Sequence, residues 1–212
     1  ALPASAHGLG WSAAGINEDF PLSGSRSLYG ATKLSAELLI AEYVALYQLP
    51  ATILRCGVIA GPWQMGKVDQ GVFVLWMARH LYQGALSYSG FGGKGKQVRD
   101  FLHIDDLYDL VRLQMEAAHL FTDTPLNAGG GAENALSLYE LSRLAVATTG
   151  CTLALGSQPE SRAADIPYYV TDQSRLRELC GWRPQRTVQR LAEDVVRWLV
   201  DNRGQLEPLL RG

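Results

Sequence analysis

Residues 51–60 form the run that most narrows what this chain can fold into. They are apolar throughout except for Thr52 and Arg55, and they lie between Pro50 and Gly61-Pro62. A strand with one wet face alternates apolar and polar residues. An unbroken run predicts a strand covered on both faces, as in a parallel sheet. The preceding residues 28–48 carry Leu34, Leu38, Leu39, Ala45 and Leu46 at helical spacing, and Pro50 stops that helix. A helix feeding directly into a doubly covered strand is the unit of an α/β fold.

The alternation continues. Residues 72–82 read as an apolar helix, and 86–88 and 98–102 as short strands. Asp105 or Asp106 can cap a helix reaching to about residue 120. Residues 126–128 read as a strand ended by Gly129-Gly130-Gly131. Ser137-Leu138-Tyr139-Glu140 fits a capping box. Residues 151–171 suit strand, loop and strand. Ser174 opens a short helix closed by Gly181, and 187–202 reads as the final amphipathic helix. Residues 1–27, rich in Gly, Ser, Ala and Pro, read as loop.

The chain has 212 residues, 47% of them hydrophobic, which suits one domain or a domain with a small lobe. The formal net charge of -2 supplies no electrostatic reason to expect nucleic acid or an anionic membrane as a partner. No apolar run is long enough to span a bilayer. The N-terminus has neither the basic flank nor the apolar stretch of a signal peptide, and it lacks an initiator Met; the chain reads as cut from something longer. Cys56, Cys151 and Cys180 are odd in number and far apart. They suggest no disulfide framework and no metal site, and read as buried thiols in a reducing cytoplasm. His7, His80, His103 and His119 have no metal spacing either. Gly90-Phe91-Gly92-Gly93-Lys94-Gly95 spells G-x-G-x-x-G, but it leads into a predicted strand. A dinucleotide loop must open a helix, so this segment reads as a turn.

The sharpest chemical feature is Ser27-Leu28-Tyr29-Gly30-Ala31-Thr32-Lys33. Tyr29 and Lys33 are four apart at the start of a helix, so they share one face. A phenol is a poor base at neutral pH, but a nearby ammonium favours the phenolate. Such a pair can take a proton from a sugar hydroxyl and return it. The same spacing also occurs on ordinary solvated helices, so the neighbouring motifs have to decide.

Those motifs are Arg55-Cys56-Gly57-Val58-Ile59-Ala60-Gly61-Pro62, the segment from Gly95-Lys96-Gln97-Val98-Arg99-Asp100 to His103-Ile104-Asp105-Asp106, and Arg162-x-x-Asp165. With Tyr29-x-x-x-Lys33 they stand in one order along nearly the whole chain. The chain resembles the extended short-chain dehydrogenase/reductase family, the NAD-dependent nucleotide-sugar epimerases and dehydratases. Lys67-Val68-Asp69-Gln70-Gly71 and Gly95 to Arg99 look most like the CDP-paratose (CDP-tyvelose) 2-epimerases.

The resemblance implies an α/β fold made of the C-terminal portion of a Rossmann-like doubly wound parallel sheet and a small α/β substrate lobe. Residues 1–62 would end the dinucleotide-binding domain. Residues 63–212 would be mainly substrate lobe, with some segments returning to the sheet. Tyr29 would be the acid/base, and Lys33 would bind the nicotinamide ribose and tune it. Cys56, Gly57 and Val58 would lie near the nicotinamide, and Gln70 and Gly71 near the substrate's phosphates or sugar. Arg99 and Arg162 would clamp the pyrophosphate with Asp165 beside them. No metal is implied. The cofactor would be NAD, with NADP left open, and the partner a nucleotide sugar. A homodimer through the Tyr29 helix and the helix after the next strand is implied as well, with Leu38, Val72, Leu75 and Trp76 as its contacts or simply as core.

Two family parts have no match. The Gly-x-x-Gly-x-x-Gly loop lies far upstream of the Tyr in the family, yet only 28 residues precede Tyr29. Ser23, Ser25 and Ser27 are too close to Tyr29 to supply the family's Ser or Thr. The expected function is an epimerase in the full-length form, with this piece inactive alone. A non-catalytic substrate-lobe remnant, or a dehydratase or reductase of the same family, are the alternatives.

Overall fold

A computed structural model describes residues 8–24, 27–66, 70–121, 124–161 and 165–212. It opens with a hairpin, β1 (Trp11–Ser12) and β2 (Gly15–Ile16), where the sequence reads as loop. Strands of two residues are too short to show a period. They are held by a later segment: Ile16 N–H donates to Val170 O at 2.8 Å, and Asp172 N–H donates to Ile16 O at 2.9 Å. Gly15 has φ 129°, and a Cβ there would lie 2.5 Å from Val170 O, so this contact requires glycine.

Helix α1 (Leu28–Tyr47) starts at Ser27, whose hydroxyl accepts from Gly30 N–H at 3.1 Å. It ends at Gln48, in the left-handed region two residues before Pro50. None of its residues is buried, and Leu28, Leu38, Leu39 and Leu46 stand well exposed. Its apolar residues fall on all sides rather than in one stripe, the pattern of a helix made to sit between two layers.

The continuous run of 51–60 becomes two strands, β3 (Leu54–Cys56) and β4 (Val58–Ala60), broken at Gly57. The break is a change of neighbour. β3 pairs in parallel with β7 (Leu126–Ala128), whereas β4 pairs in parallel with β6 (Val98–His103). Gly57 N–H donates to Ala128 O, and a Cβ at Gly57 would sit 3.0 Å from Asp100 Oδ2. The carboxylate of Asp100 fills the gap where the two neighbours diverge. β6 also pairs antiparallel with β8 (Ala135–Ser137), while β5 (Leu86–Ser89) and β9 (Leu155–Gln158) form a separate parallel pair.

The helices cover these strands. α2 (Val72–Tyr82), α4 (Leu138–Thr149), α6 (Val188–Asp201) and α7 (Arg203–Leu210) enclose the larger core with β4 and β6. Phe73 meets Phe101 of β6 edge-on, 4.9 Å between ring centroids, and Tyr82 donates to Leu199 O at 2.7 Å. A smaller core lies under α3 (Ile104–Glu116) and α5 (Ser174–Cys180), built from Leu102, Leu110, Leu126, Leu176 and Trp182. No helix of the described residues is long and apolar enough to cross a membrane.

Several expectations are corrected. α3 is capped by His103, whose ring Nδ1 accepts from Asp105 N–H at 3.0 Å, and not by either aspartate. It ends at Glu116, before a short 3-10 turn at Ala118–Leu120. Among the described residues of 151–171 only β9 is a strand; Tyr168 and Thr171 form isolated bridges to Val98 and Ile16. α6 is not the last helix: α7 follows and buries Leu206 and Leu210, although it contains Pro208. Cys56 is exposed, and Cys151 and Cys180 are only partly buried. β3 pairs on one side alone among the described residues, and Cys56 lies at its end. The Ser137 capping box forms as expected, with Glu140 accepting from Ser137 N–H at 2.8 Å.

Candidate active site

Tyr29 lies on the first turn of α1 with its ring mostly exposed, and Lys33 follows one turn later. The Lys33 ammonium sits over the Tyr29 ring, 5.5 Å from its centroid. Among the described residues Lys33 enters no ion pair. An exposed phenol beside an ammonium without a carboxylate partner offers hydrogen-bond donors to a diol. That donor chemistry fits the ribose of a dinucleotide. Ser27 is occupied in capping the helix. Cys56, Gly57 and Val58 lie at the strand break, where β3 ends and β4 begins.

α1 is joined to β3 through Glu37 and Arg55. Arg55 Nε donates to Glu37 Oε1 at 2.9 Å and Nη2 donates to Oε2 at 2.6 Å. This bidentate partner raises Arg55 above the ordinary guanidinium value, against the opposing effect of burial. Arg55 opened a family motif in the sequence without a role of its own, and Glu37 did not stand out. The signal was present in the spacing, because Tyr29, Lys33 and Glu37 are each four apart.

A second region is a cavity of about 690 Å³, within the usual span of a small-molecule site. Its lining includes Val72, Leu75, Trp76 and Arg79 of α2 and Ser87 and Ser89 of β5. From Val72 to Arg79 is seven steps along α2, about 10 Å at 1.5 Å per residue. Arg99 and Asp165 stand together in the lining, Nη2 to Oδ1 3.2 Å, although 66 residues separate them. Burial lowers Arg99 from its ordinary value, and the charge of Asp165 opposes that shift. Gln97, in the same lining, donates to Ser89 O and leaves its own carbonyl oxygen buried without a partner.

The other expected residues fall as follows. Gly71 is the left-handed N-cap of α2 and makes no side-chain cap, so this helix start depends on its glycine. Gln70 is exposed beside it. Arg162, and Lys67, Val68 and Asp69 of the subfamily motif, lie outside the described residues. Tyr29 and Lys33 do not line the cavity among the described residues. Leu75 and Trp76 are core, with Trp76 donating to Ser142 at 2.8 Å; Val72 is partly buried, and Leu38 is exposed. The Gly90 to Gly95 segment is a turn into β6, with φ positive at Gly90, Gly92, Gly93 and Gly95.

Comparison with known proteins places this geometry. The "Probable UDP-glucuronate 4-epimerase" of Rhizobium meliloti (strain 1021) is 29% identical over 212 residues, covering 89% of this chain and 59% of that protein. CDP-paratose 2-epimerase of Salmonella typhi is 26% identical over 175 residues, covering 81% and 51%. The crystal structure of DesIV, a dTDP-glucose 4,6-dehydratase from Streptomyces venezuelae with NAD and TYD bound, superposes with a TM-score of 0.73. It is 27% identical, and the match covers 91% of this chain and 56% of that one. The chain thus spans between about half and six tenths of the length of these relatives. A model of the NAD dependent epimerase/dehydratase family matches residues 4–129, more than half of the sequence, and the chain belongs to that family.

Proposed function

We propose that the chain is the acid/base and substrate-binding part of a nucleotide-sugar epimerase that acts by transient oxidation at a sugar carbon. The observation that carries this reading is the Lys33 ammonium over the Tyr29 ring at the start of α1, with no carboxylate competing for it among the described residues. Tyr29 takes the proton of the sugar hydroxyl and later returns it. Lys33 holds a ribose and supplies the charge that favours the phenolate. Bound NAD supplies the hydride acceptor and donor. Arg99, beside Asp165 in the cavity, binds the substrate's pyrophosphate, with Arg162 as its expected companion. Gln70 and Gly71 lie toward the phosphates or sugar, and Cys56 to Val58 beside the nicotinamide. The length of the cavity along α2 suits a nucleoside diphosphate.

The finer reading is epimerisation at C2 of a CDP-sugar, supported by Lys67 to Gly71 and by likeness to a CDP-paratose 2-epimerase. The division near residue 62 belongs to the same proposal: α1, β3, β4 and β7 on the cofactor side, and most of 63–212 on the substrate side. So does a homodimer, supported by the exposed apolar α1, and a cytoplasmic site, supported by three free thiols. The match to a dTDP-glucose 4,6-dehydratase favours a second reading, dehydration on the same scaffold. The test is product analysis of the complete protein with NAD and CDP-, UDP- and dTDP-sugars. Epimers at unchanged mass support the first reading; loss of water supports the second. No conversion of any of them refutes both.

A further inference from the structure

Tyr29, Lys33 and Glu37 share one face of α1, because each is four residues from the next. Glu37 is one turn from Lys33, where a free carboxylate and an ammonium would pair. It is held elsewhere. The Arg55 fork takes both of its oxygens, at 2.9 and 2.6 Å. The two side chains are 24% and 20% exposed, so solvent screens the pair less than it would on an open surface.

Arg55 has a further contact. Its Nη1 lies 3.5 Å from Glu18 O. The Glu18 carboxylate accepts from Asn127 N–H at 2.7 Å and lies 3.7 Å from Arg175 Nε. One guanidinium therefore joins α1, β3 and the segment after the opening hairpin. A flat, permanently charged fork can do this where a single ammonium cannot.

We infer that Arg55 is a positioning residue that sets the rotation of α1 against β3 and keeps Glu37 away from Lys33. Lys33 then remains free to act on Tyr29 and on a ribose. This rests on the reading of Tyr29 and Lys33 as the acid/base pair.

The test uses two readouts. The first is acetylation of Lys33 in the complete protein by limiting acetic anhydride, followed by mass spectrometry with Lys94 and Lys96 as internal references. Arg55→Leu releases Glu37 onto Lys33 and slows Lys33 acetylation several-fold. Arg55→Leu/Glu37→Gln removes the competitor and restores the rate. The second is turnover by the complete protein. Arg55→Leu lowers kcat by on the order of tenfold, the scale of a small displacement of a catalytic group. Adding Glu37→Gln recovers part of it, while KM changes little. A merely structural arginine gives the opposite pattern, with the double variant no better than the single one, and that result overturns the inference. If Arg55→Leu does not fold by circular dichroism, Arg55→Lys decides. It holds Glu37 at one point only, so Lys33 acetylation must fall below the parent, and an unchanged rate overturns the inference. Tyr29→Phe is the control for the underlying reading. Full turnover in Tyr29→Phe removes that reading, whereas loss of turnover there with no effect of Arg55→Leu on Lys33 removes only the clamp.

Discussion

Lys33 Nζ lies 5.5 Å from the centroid of the Tyr29 ring, one turn along the same helix. The contact is with the ring and not only with the hydroxyl, so it survives loss of the hydroxyl. Tyr29→Phe therefore separates proton transfer from binding. In the complete protein we expect turnover to fall by about 10²–10⁴, with NAD affinity by calorimetry close to the parent. Turnover within a factor of two of the parent would falsify the acid/base role.

Arg99 offers a different separation. Its guanidinium is partly shielded, bonded to Val98 O at 2.8 Å and Asp165 at 3.2 Å, and it lines the cavity. A charged hydrogen bond to a phosphate contributes about 1.5–3 kcal/mol. Arg99→Ala should then weaken binding of the nucleoside diphosphate roughly ten- to hundredfold. Calorimetry with the diphosphate alone checks this, and unchanged affinity would make the arginine a partner of Asp165 only.

The parts legible in the sequence are those with a local signal. The helix α1, its stop before Pro50 and the Ser137 capping box follow from residues close together. The break at Gly57 was not visible, because the apolar run around it does not register a change of neighbour from β7 to β6. The cap of α3 went to His103 because its ring nitrogen reaches Asp105 N–H, an option hidden by two adjacent aspartates. Helix α7 carries Pro208, and its burial depends in part on α2, far away in sequence. Arg99 and Asp165 came from family motifs, and their meeting across 66 residues has no local sign. The Arg55–Glu37 fork was missed for a similar reason: its two halves lie on different elements.

Asp100 makes stability depend on pH in a definite direction. It is fully buried, and one oxygen accepts from Gly131 N–H at 3.1 Å. Burial pushes its carboxyl above the ordinary value, with hydrogen bonds from the Thr171 side chain and from Gly131 N–H opposing. A carboxyl raised on folding helps the fold below the unfolded value and loses that contribution as pH rises through the folded one. Asp100→Asn keeps an acceptor for Gly131 and carries no charge. The melting temperature of the variant should therefore gain on the parent as pH rises from the ordinary carboxylate value, about 4, through the raised folded one. A difference that stays constant or shrinks over that range contradicts the assignment.

The last prediction concerns the cofactor. Dinucleotide pyrophosphate is held by N–H groups at a helix start directly behind a strand and a glycine turn. Among the described residues the glycine-rich segments lead elsewhere. Gly90 to Gly95 turns into β6, and Gly129 to Gly131 into a 3-10 turn and β8. On the proposed reading Tyr29 and Lys33 hold one ribose, which leaves the adenosine half without a partner among the described residues. The exposed apolar residues of α1, Leu38, Leu39 and Leu46, also need cover that the described residues do not provide. The 212-residue chain should therefore bind NAD only weakly and melt over a broad range. Adding the strand–turn–helix unit should tighten binding and sharpen the melt. Titration with NAD while following tryptophan fluorescence, beside a thermal melt, measures both. A micromolar dissociation constant with a sharp melt of this chain alone would show a cofactor site within it, and Gly90 to Gly95 would be the first segment to mutate.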